Sequence, residues 1–84
     1  MSRRGTSDTA NIGLIENVDM SKGFSSDVPV NVKINGTDPV KLTVHMYDEA
    51  PGIYVETTFF PGWNPEIINE IQANAAVSNV QIGM

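Results

Sequence analysis

The sequence predicts an α+β fold, in which a small antiparallel β-sheet of about four to five strands carries one short α-helix on one face. Apolar and polar residues alternate in several stretches, as in strands with one buried face. A proline-led segment with an isoleucine stripe, at about 65–76, matches the start and the apolar side of a helix. The predicted order is β-β-β-β-α-β, with a meander at the centre of the sheet.

The length of 84 residues suits a single domain, which we predict over residues 11–84. Residues 1–10 are polar and have no periodic apolar positions, so we expect them to form a flexible N-terminal arm. The chain has no cysteine, and disulfides therefore cannot supplement a thin core. Stability has to come from packing or from self-association.

Four stretches before the predicted helix alternate well enough to be strands. The first covers residues 11–20, where alternate positions are apolar apart from Glu16. The second and third cover 28–35 and 40–47, on either side of a Gly-Thr-Asp-Pro turn. We expect these two strands to pair with each other as a hairpin.

The preferred register of this hairpin places Ile34 opposite Leu42. Pairing Ile34 with Val40 would also keep the apolar faces together, but it would set Lys33 directly across from Lys41. Like charges that oppose each other in a sheet are destabilising, so the register with Leu42 is favoured.

The fourth strand is predicted over 53–60 and pairs with the third. Matching their apolar faces requires paired positions whose numbers sum to an odd value, as for Val44 with Thr57. Neighbouring strand residues face opposite sides, so Phe59 and Phe60 cannot both enter the core.

A strong helix-start signal follows Trp63. Asn64 is the expected N-cap, Pro65 is the first helical residue, and Glu66 lies where the helix dipole favours negative charge. Alternation resumes over 80–84, which we predict to return to the sheet as a final strand. The apolar stripe of the predicted helix consists of Ile67, Ile68, Ile71 and Ala75.

All of the net charge lies in the second half of the chain. The first 41 residues hold five acids and five bases, so the formal net charge of −5 resides in residues 42–84, which contain no Lys or Arg. Direct binding of nucleic acid is not expected, because phosphate contacts need clustered basic residues. No stretch has the ~18 apolar residues of a membrane-spanning helix, and no signal peptide is expected. We therefore expect no membrane partner and a cytoplasmic or virion-associated location.

The sequence contains no motif typical of catalysis or of cofactor binding. His45 is the only histidine, and no spacing such as HExxH joins it to other metal ligands. We expect it at the surface, on the polar face of its strand, where Glu56 stabilises its charged form. No catalytic residue, cofactor or metal is predicted, and we expect the protein not to be an enzyme.

Aromatic residues and acids without basic neighbours indicate a protein-binding surface. If a helix covers the Phe59 side of the sheet, the rings on the other side resemble interface hot spots, next to the acids of the 48–52 loop. The alternative is that these rings only shield the polar face of the sheet from water. The candidate protein-interface residues are Tyr47, Asp48, Glu49, Tyr54, Glu56, Phe60 and Trp63.

Two functions from different classes are compatible with these features. The first is a non-enzymatic protein–protein interaction or structural subunit, such as a virion or accessory component of a virus or phage. Such a protein would self-associate as a homo-oligomer or bind a larger assembly. The alternative is a small acidic inhibitor of the phage type, which imitates nucleic-acid phosphates and blocks a nucleic-acid-binding enzyme as an anti-defence protein.

Overall fold

Seven strands make up the regular structure of the computed structural model, which describes residues 13–84. They are β1 (Ile15–Asn17), β2 (Phe24–Ile34), β3 (Val40–Met46), β4 (Val55–Phe59), β5 (Gly62–Trp63), β6 (Ile68–Ile71) and β7 (Val80–Gly83). All pairs of strands are antiparallel. Along the sheet the order is β1-β7-β2-β6-β3-β4, and β5 pairs with β2.

The predicted α+β class is therefore wrong, because the described part of the chain is all-β. Residues 13–84 contain no helix. The segment at 65–76 forms β6 with irregular chain on both sides. The sheet also has seven strands instead of the predicted four to five.

The helix prediction failed because a β-bulge imitates helical spacing. Ile68 and Ile71 are both buried and lie three positions apart, as they would on one side of a helix. In a strand this spacing requires an extra residue, which Asn69 supplies in the pairing of β6 with β3. Ile67, which belongs to the predicted stripe, is exposed instead. Isoleucine is also β-branched and fits a half-buried strand well.

Asn64 does not cap a helix but fastens a turn to β2. Its side chain is buried, and its Oδ1 accepts a hydrogen bond from the backbone N–H of Phe60 at 2.9 Å. Its Nδ2 donates to the carbonyl oxygens of Phe60 and Gly62 at 3.0 and 3.1 Å. The backbone N–H of Asn64 donates to the carbonyl oxygen of Val32 in β2 at 2.9 Å.

The core lies on one face of the sheet, and alternate residues of the longer strands build it. Along β2, Val30, Val32 and Ile34 are buried while the residues between them are partly exposed. Phe59 is fully buried and Phe60 is 59% exposed, which confirms that the two rings face opposite sides. The buried apolar residues are Val18, Met20, Val30, Val32, Ile34, Leu42, Val44, Phe59, Ile68, Ile71, Val80 and Ile82.

The sheet curls around this core. β2 and β4 are in contact, although β6 and β3 lie between them in the sheet order. Just after β4, Pro61 forms an isolated parallel bridge with Ile34 at the end of β2. An irregularity in the β2–β6 pairing, between Ser25 and Val30, and the bulge in β6 both increase local twist. The core-facing side chains of strands that lie far apart in the sheet order therefore pack against one another.

The predicted central meander is wrong in its first pair of strands, β2 with β3. β6 lies between β2 and β3, so these two strands are not neighbours and Ile34 does not pair with Leu42. Ile34 is opposite Val80 of β7 instead. β6 can occupy this place because its backbone pairs with a strand on each side, which a helix cannot do.

The predicted hairpin of the third and fourth strands is confirmed as β3 and β4. Their paired positions sum to an odd number as expected, although Val44 lies opposite Val55 and not opposite Thr57. The final strand is confirmed as β7, which pairs with both β1 and β2.

The start of the chain can be compared with the prediction only in part. Of the strand predicted over 11–20, the structure has β1, and residues 11–12 lie outside the described residues, as does the arm predicted at 1–10. Within residues 13–84, no helix is long and apolar enough to cross a membrane.

Candidate interaction surface

The bulge in β6 places two polar residues side by side on the outer face of the sheet, which is the face opposite the core. Asn69 and Glu70 together oppose His45 of β3, between two regular pairs of the same strands. The flanking Ile68 and Ile71 remain in the core. The extra residue therefore adds a polar group beside the histidine and leaves the apolar packing intact.

His45 is buried on this outer face, with 7% of its surface exposed. Its Nδ1 lies 2.6 Å from Oδ1 of Asn69, and its Nε2 lies 2.9 Å from the carbonyl oxygen of Ala50. The bonds to Asn69 and to Ala50 raise the pKa of His45 above its ordinary value of 6.5; burial lowers it, and the carboxylate of Glu70 raises it further. The environment thus favours the charged ring.

Tyr54, the residue before β4, completes this group of side chains. Its ring meets the ring of His45 edge-on, with 6.1 Å between the centroids and 67° between the planes. Its hydroxyl donates a hydrogen bond to Oε2 of Glu70 at 2.8 Å. This hydrogen bond, with burial and the negative charge, raises the pKa of Tyr54, so the hydroxyl remains a donor. The side chains of His45, Tyr54, Asn69 and Glu70 are called the polar cluster below.

Hydrogen bonds at its start and in its middle attach the loop between β3 and β4 to the rest of the fold. The carbonyl oxygen of Ala50, in the middle of the loop, faces His45 and also accepts from the backbone N–H of Ile53 at 3.3 Å. At the start of the loop, the backbone N–H of Tyr47 donates to the carbonyl oxygen of Ile67 at 3.0 Å. The loop is therefore tied to β3 and to the chain that leads into β6.

Large apolar side chains are exposed around this loop. Of the eleven such residues that are exposed within residues 13–84, five lie on the β3–β4 connection, at the start of β4 or next to it, and each is 39–49% exposed. Grouped exposure of this kind, bordered by polar residues, is typical of interaction sites. We call this group the hairpin surface. It wraps around the end of the hairpin, because Tyr54 and Glu56 lie on the outer face and Val55 lies on the core-facing side, opposite Val44. It consists of Tyr47, Ile53, Tyr54, Val55 and Ile67, with the exposed acids Asp48, Glu49 and Glu56.

The hairpin surface is negatively charged. Residues 42–84 contain no Lys or Arg, so His45 is the only basic side chain in this half of the sequence that can balance its acids. Glu56 lies opposite Thr43 of β3, on the outer face next to the polar cluster. A partner with positive charge would be attracted to this surface from a distance.

Phe60 and Trp63 lie at the other end of β4. Phe60 is six positions after Tyr54, which is roughly 20 Å along an extended strand. Trp63 pairs with Lys33 of β2, whose Nζ lies 5.8 Å from the centroid of the indole ring. The structure thus brings five of the seven predicted interface residues together in the hairpin surface and places these two elsewhere.

Sequence reasoning missed three apolar members of the hairpin surface. Alternation assigns Ile53 and Val55 to the buried face, and Val55 is indeed opposite the buried Val44. Both are exposed because Val55 begins the last strand of the sheet and Ile53 lies two residues before it, where nothing in residues 13–84 covers them. Ile67 is exposed because the segment that contains it is not a helix.

The expectation of a surface His45 stabilised by Glu56 is also wrong. Its main partner, Asn69, comes from a segment that the sequence assigns to the helix, so no local signal connects the two residues. Within residues 13–84, no three His, Asp or Glu side chains are close enough together to hold a metal ion. What the polar cluster offers chemically is an imidazole ring that can gain or lose a proton between two oxygen acceptors.

Comparisons with protein-family models, with curated proteins and with solved structures gave no match.

Proposed function

We propose that the protein is a non-enzymatic interaction domain that binds a partner protein, or a second copy of itself, through the hairpin surface. The supporting observation is the grouping of exposed apolar side chains and acids on and next to the β3–β4 loop, which a buried histidine fastens to the sheet. Tyrosine, which the hairpin surface contains at positions 47 and 54, is enriched among the residues that dominate binding energy. A surface that is ordered before binding loses less entropy when a partner arrives.

The position of β4 supports the same proposal. β4 is the last strand of the sheet and pairs with β3 along one edge. Within residues 13–84 its other edge pairs with no strand and, at the Val55 end, can accept an extended segment of a partner, which would gain backbone hydrogen bonds in addition to apolar contacts. Glu56 lies within this strand, and Asp48 and Glu49 lie in the loop before it. These acids favour a partner segment that carries Lys or Arg.

The acidic inhibitor remains a prediction of the sequence. It uses the same acids, but charge would dominate its binding, which salt would then weaken strongly. A role in a virion or as a structural subunit is not part of the proposal, because no observation of residues 13–84 bears on it.

Site-specific crosslinking in the native host tests the proposal. The full chain is produced with a photoreactive phenylalanine analogue at Ile53 and, in a matched control, at Phe60, which is at least as exposed but lies at the other end of β4. Crosslinked products from position 53, with few or none from position 60, would support the proposal. Mass spectrometry then tells whether the product contains a second copy of the chain or another protein. Products from position 60 alone would reject the hairpin surface.

Two sets of substitutions separate apolar binding from phosphate imitation, with the probe kept at position 53. The first set is Tyr47→Ser with Ile67→Ser, which removes apolar area. The second set, which removes negative charge, is Asp48→Asn, Glu49→Gln and Glu56→Gln. Loss of crosslinks with the first set would support apolar contact as the main source of binding. Loss of crosslinks with the second set only, together with a nucleic-acid enzyme as the captured partner, would favour the inhibitor.

A further inference from the structure

We propose that His45 is a pH-dependent latch, which fastens the β3–β4 loop to the sheet while its ring is protonated and releases the loop when the ring loses a proton. The latch is a property of the isolated protein. Its consequence, that binding at the hairpin surface weakens when the loop is released, rests on the proposed function.

Both ring nitrogens of His45 face oxygen atoms. Nδ1 is 2.6 Å from Oδ1 of Asn69, and Nε2 is 2.9 Å from the carbonyl oxygen of Ala50. Such oxygens only accept hydrogen bonds, and a neutral imidazole carries one N–H. Only the imidazolium ring can donate to both oxygens at once. The protonated ring therefore bridges β6 and the loop, with His45 itself held in β3.

The bond to Ala50 is the link from a strand to the middle of the loop. At the two ends of the loop, Tyr47 N–H donates to the carbonyl oxygen of Ile67 and the hydroxyl of Tyr54 donates to Glu70. The bonds between these ends are local: Glu49 N–H donates to the carbonyl oxygen of Met46 at 3.0 Å, and Ile53 N–H to that of Ala50 at 3.3 Å. The N–H of Ala50 donates to the carboxylate of Glu49 at 3.0 Å. These bonds shape the turn, but none of them ties Ala50 to the sheet.

The charged and titratable groups around His45 favour its cation. Glu70 of β6 pairs with His45 in the strand register, and its carboxylate accepts a hydrogen bond from the hydroxyl of Tyr54. On β4, Glu56 lies on the same outer face, opposite the residue two positions before His45. Asp48 and Glu49 belong to the loop itself, and no Lys or Arg occurs after position 41.

The direction of the pKa shift agrees with the geometry. The hydrogen bonds to Asn69 and to Ala50 raise the pKa of His45 above 6.5. The switch therefore falls above 6.5, the ordinary pKa of histidine. A histidine that merely filled space on the outer face would not need acceptors at both nitrogens.

One structural response would cancel the latch, and a matched pair of variants detects it. If the ring becomes neutral, Asn69 can turn its amide so that Nδ2 donates to Nδ1, and the loop would stay in place. Asn69→Asp has nearly the same shape but can only accept a hydrogen bond when ionised. It should raise the pKa of His45 and keep the loop fastened to higher pH. Asn69→Ala removes the acceptor and should lower the pKa.

The experiment uses the full chain alone, in solution. Since His45 is the only histidine, its NMR titration can be assigned without ambiguity. Hydrogen exchange of the amides of residues 48–54 is measured at the same pH values and converted to protection factors, because intrinsic exchange itself rises with pH. The amides of Leu42 and Thr57, which pair in the middle of the β3–β4 hairpin, serve as an internal reference.

The latch predicts that His45 titrates above 6.5 and that loop protection falls through the same midpoint while the reference amides stay protected. The shift in the NMR titration and the change in loop protection must agree in size. If the pKa of His45 is one unit higher in the latched state than in the released state, the equilibrium constant for loop opening should change about tenfold with pH. A titration at or below 6.5, or loop protection that does not change with pH, would overturn the latch. Crosslinking from position 53 at two pH values tests the consequence separately. A latch without any crosslink would mean that only the proposed function fails.

Discussion

Ile68 and Ile71 have 0% and 1% of their surface exposed on the core face of β6, although residues three apart in a regular strand face opposite sides. The extra residue Asn69 makes this arrangement possible, because a bulge sets two residues against one on the neighbouring strand. The same residue provides the oxygen that faces His45. Core packing and the polar cluster therefore both depend on one inserted position.

Alanine substitutions at two isoleucines distinguish this strand from a helix. Ile71→Ala should lower the free energy of unfolding by about 2–5 kcal/mol, because a fully packed side chain leaves a cavity. Ile67→Ala should change it by less than ~1 kcal/mol, since Ile67 is 42% exposed. Chemical denaturation of both variants measures the difference. Equal, large decreases in the free energy of unfolding would indicate that both isoleucines are buried on one side of a helix, and would contradict the strand.

The buried amide of Asn64 should be important for stability. Asn64→Ala removes one acceptor and two donors from the turn at 60–64 and should cost about 2–3 kcal/mol, because the backbone groups of Phe60 and Gly62 lose partners. Asn74→Ala, at an exposed residue whose Oδ1 accepts from one backbone N–H, is the control and should cost about 0.5 kcal/mol. Similar midpoints of thermal unfolding for the two variants would disprove this role.

Two glycines with nearly the same backbone conformation provide a test of close packing. Gly23 and Gly52 have φ values of 82° and 84°, and alanine at either position costs about 1 kcal/mol in backbone strain. A Cβ at Gly23 would also lie 2.6 Å from the carbonyl oxygen of Ile71, whereas nothing lies within 4 Å at Gly52. Gly23→Ala should therefore be the more destabilising by at least about 1 kcal/mol. An equal loss in denaturant titrations would show that β6 does not pack against Gly23.

Local alternation was enough to predict the strands with one buried face. It identifies the buried half of β2, the β3–β4 hairpin and β7, because each carries its signal within a few neighbouring residues. It does not identify the order of the strands. That order depends on β6, a four-residue strand whose bulge gives it the apolar spacing of a helix and whose neighbour Asn64 resembles an N-cap.

The hairpin surface could be predicted in part for the same reason. Its tyrosines and acids belong to one stretch of sequence, and their exposure follows from alternation and turn composition. The polar cluster joins side chains from β3, the start of β4 and β6, so no window of sequence contains it. The burial of His45 is a tertiary property that the alternation of β3 alone does not indicate.

The stability of the protein should fall as pH rises above 6.5. The pKa of His45 is raised in the folded protein, so protonation favours the folded state. This contribution is fully present below 6.5, the ordinary value, and is lost as pH rises through the higher pKa of the folded state. Urea titrations across this range should show the decrease in the native sequence. His45→Gln should remove it, and a pH dependence that persists in His45→Gln would assign the effect to another group.

Binding through the hairpin surface, as proposed, should leave a footprint on the backbone amides. Hydrogen exchange footprinting measures this directly, with the full chain free and then bound to the partner that crosslinking identifies, or at low and high concentration if the partner is a second copy. We predict that the amides of residues 47–56 and of Ile67 become protected on binding, while those of residues 60–63 do not change. Protection confined to 60–63 or to β1, with the 47–56 amides unchanged, would rule out the hairpin surface as the binding site.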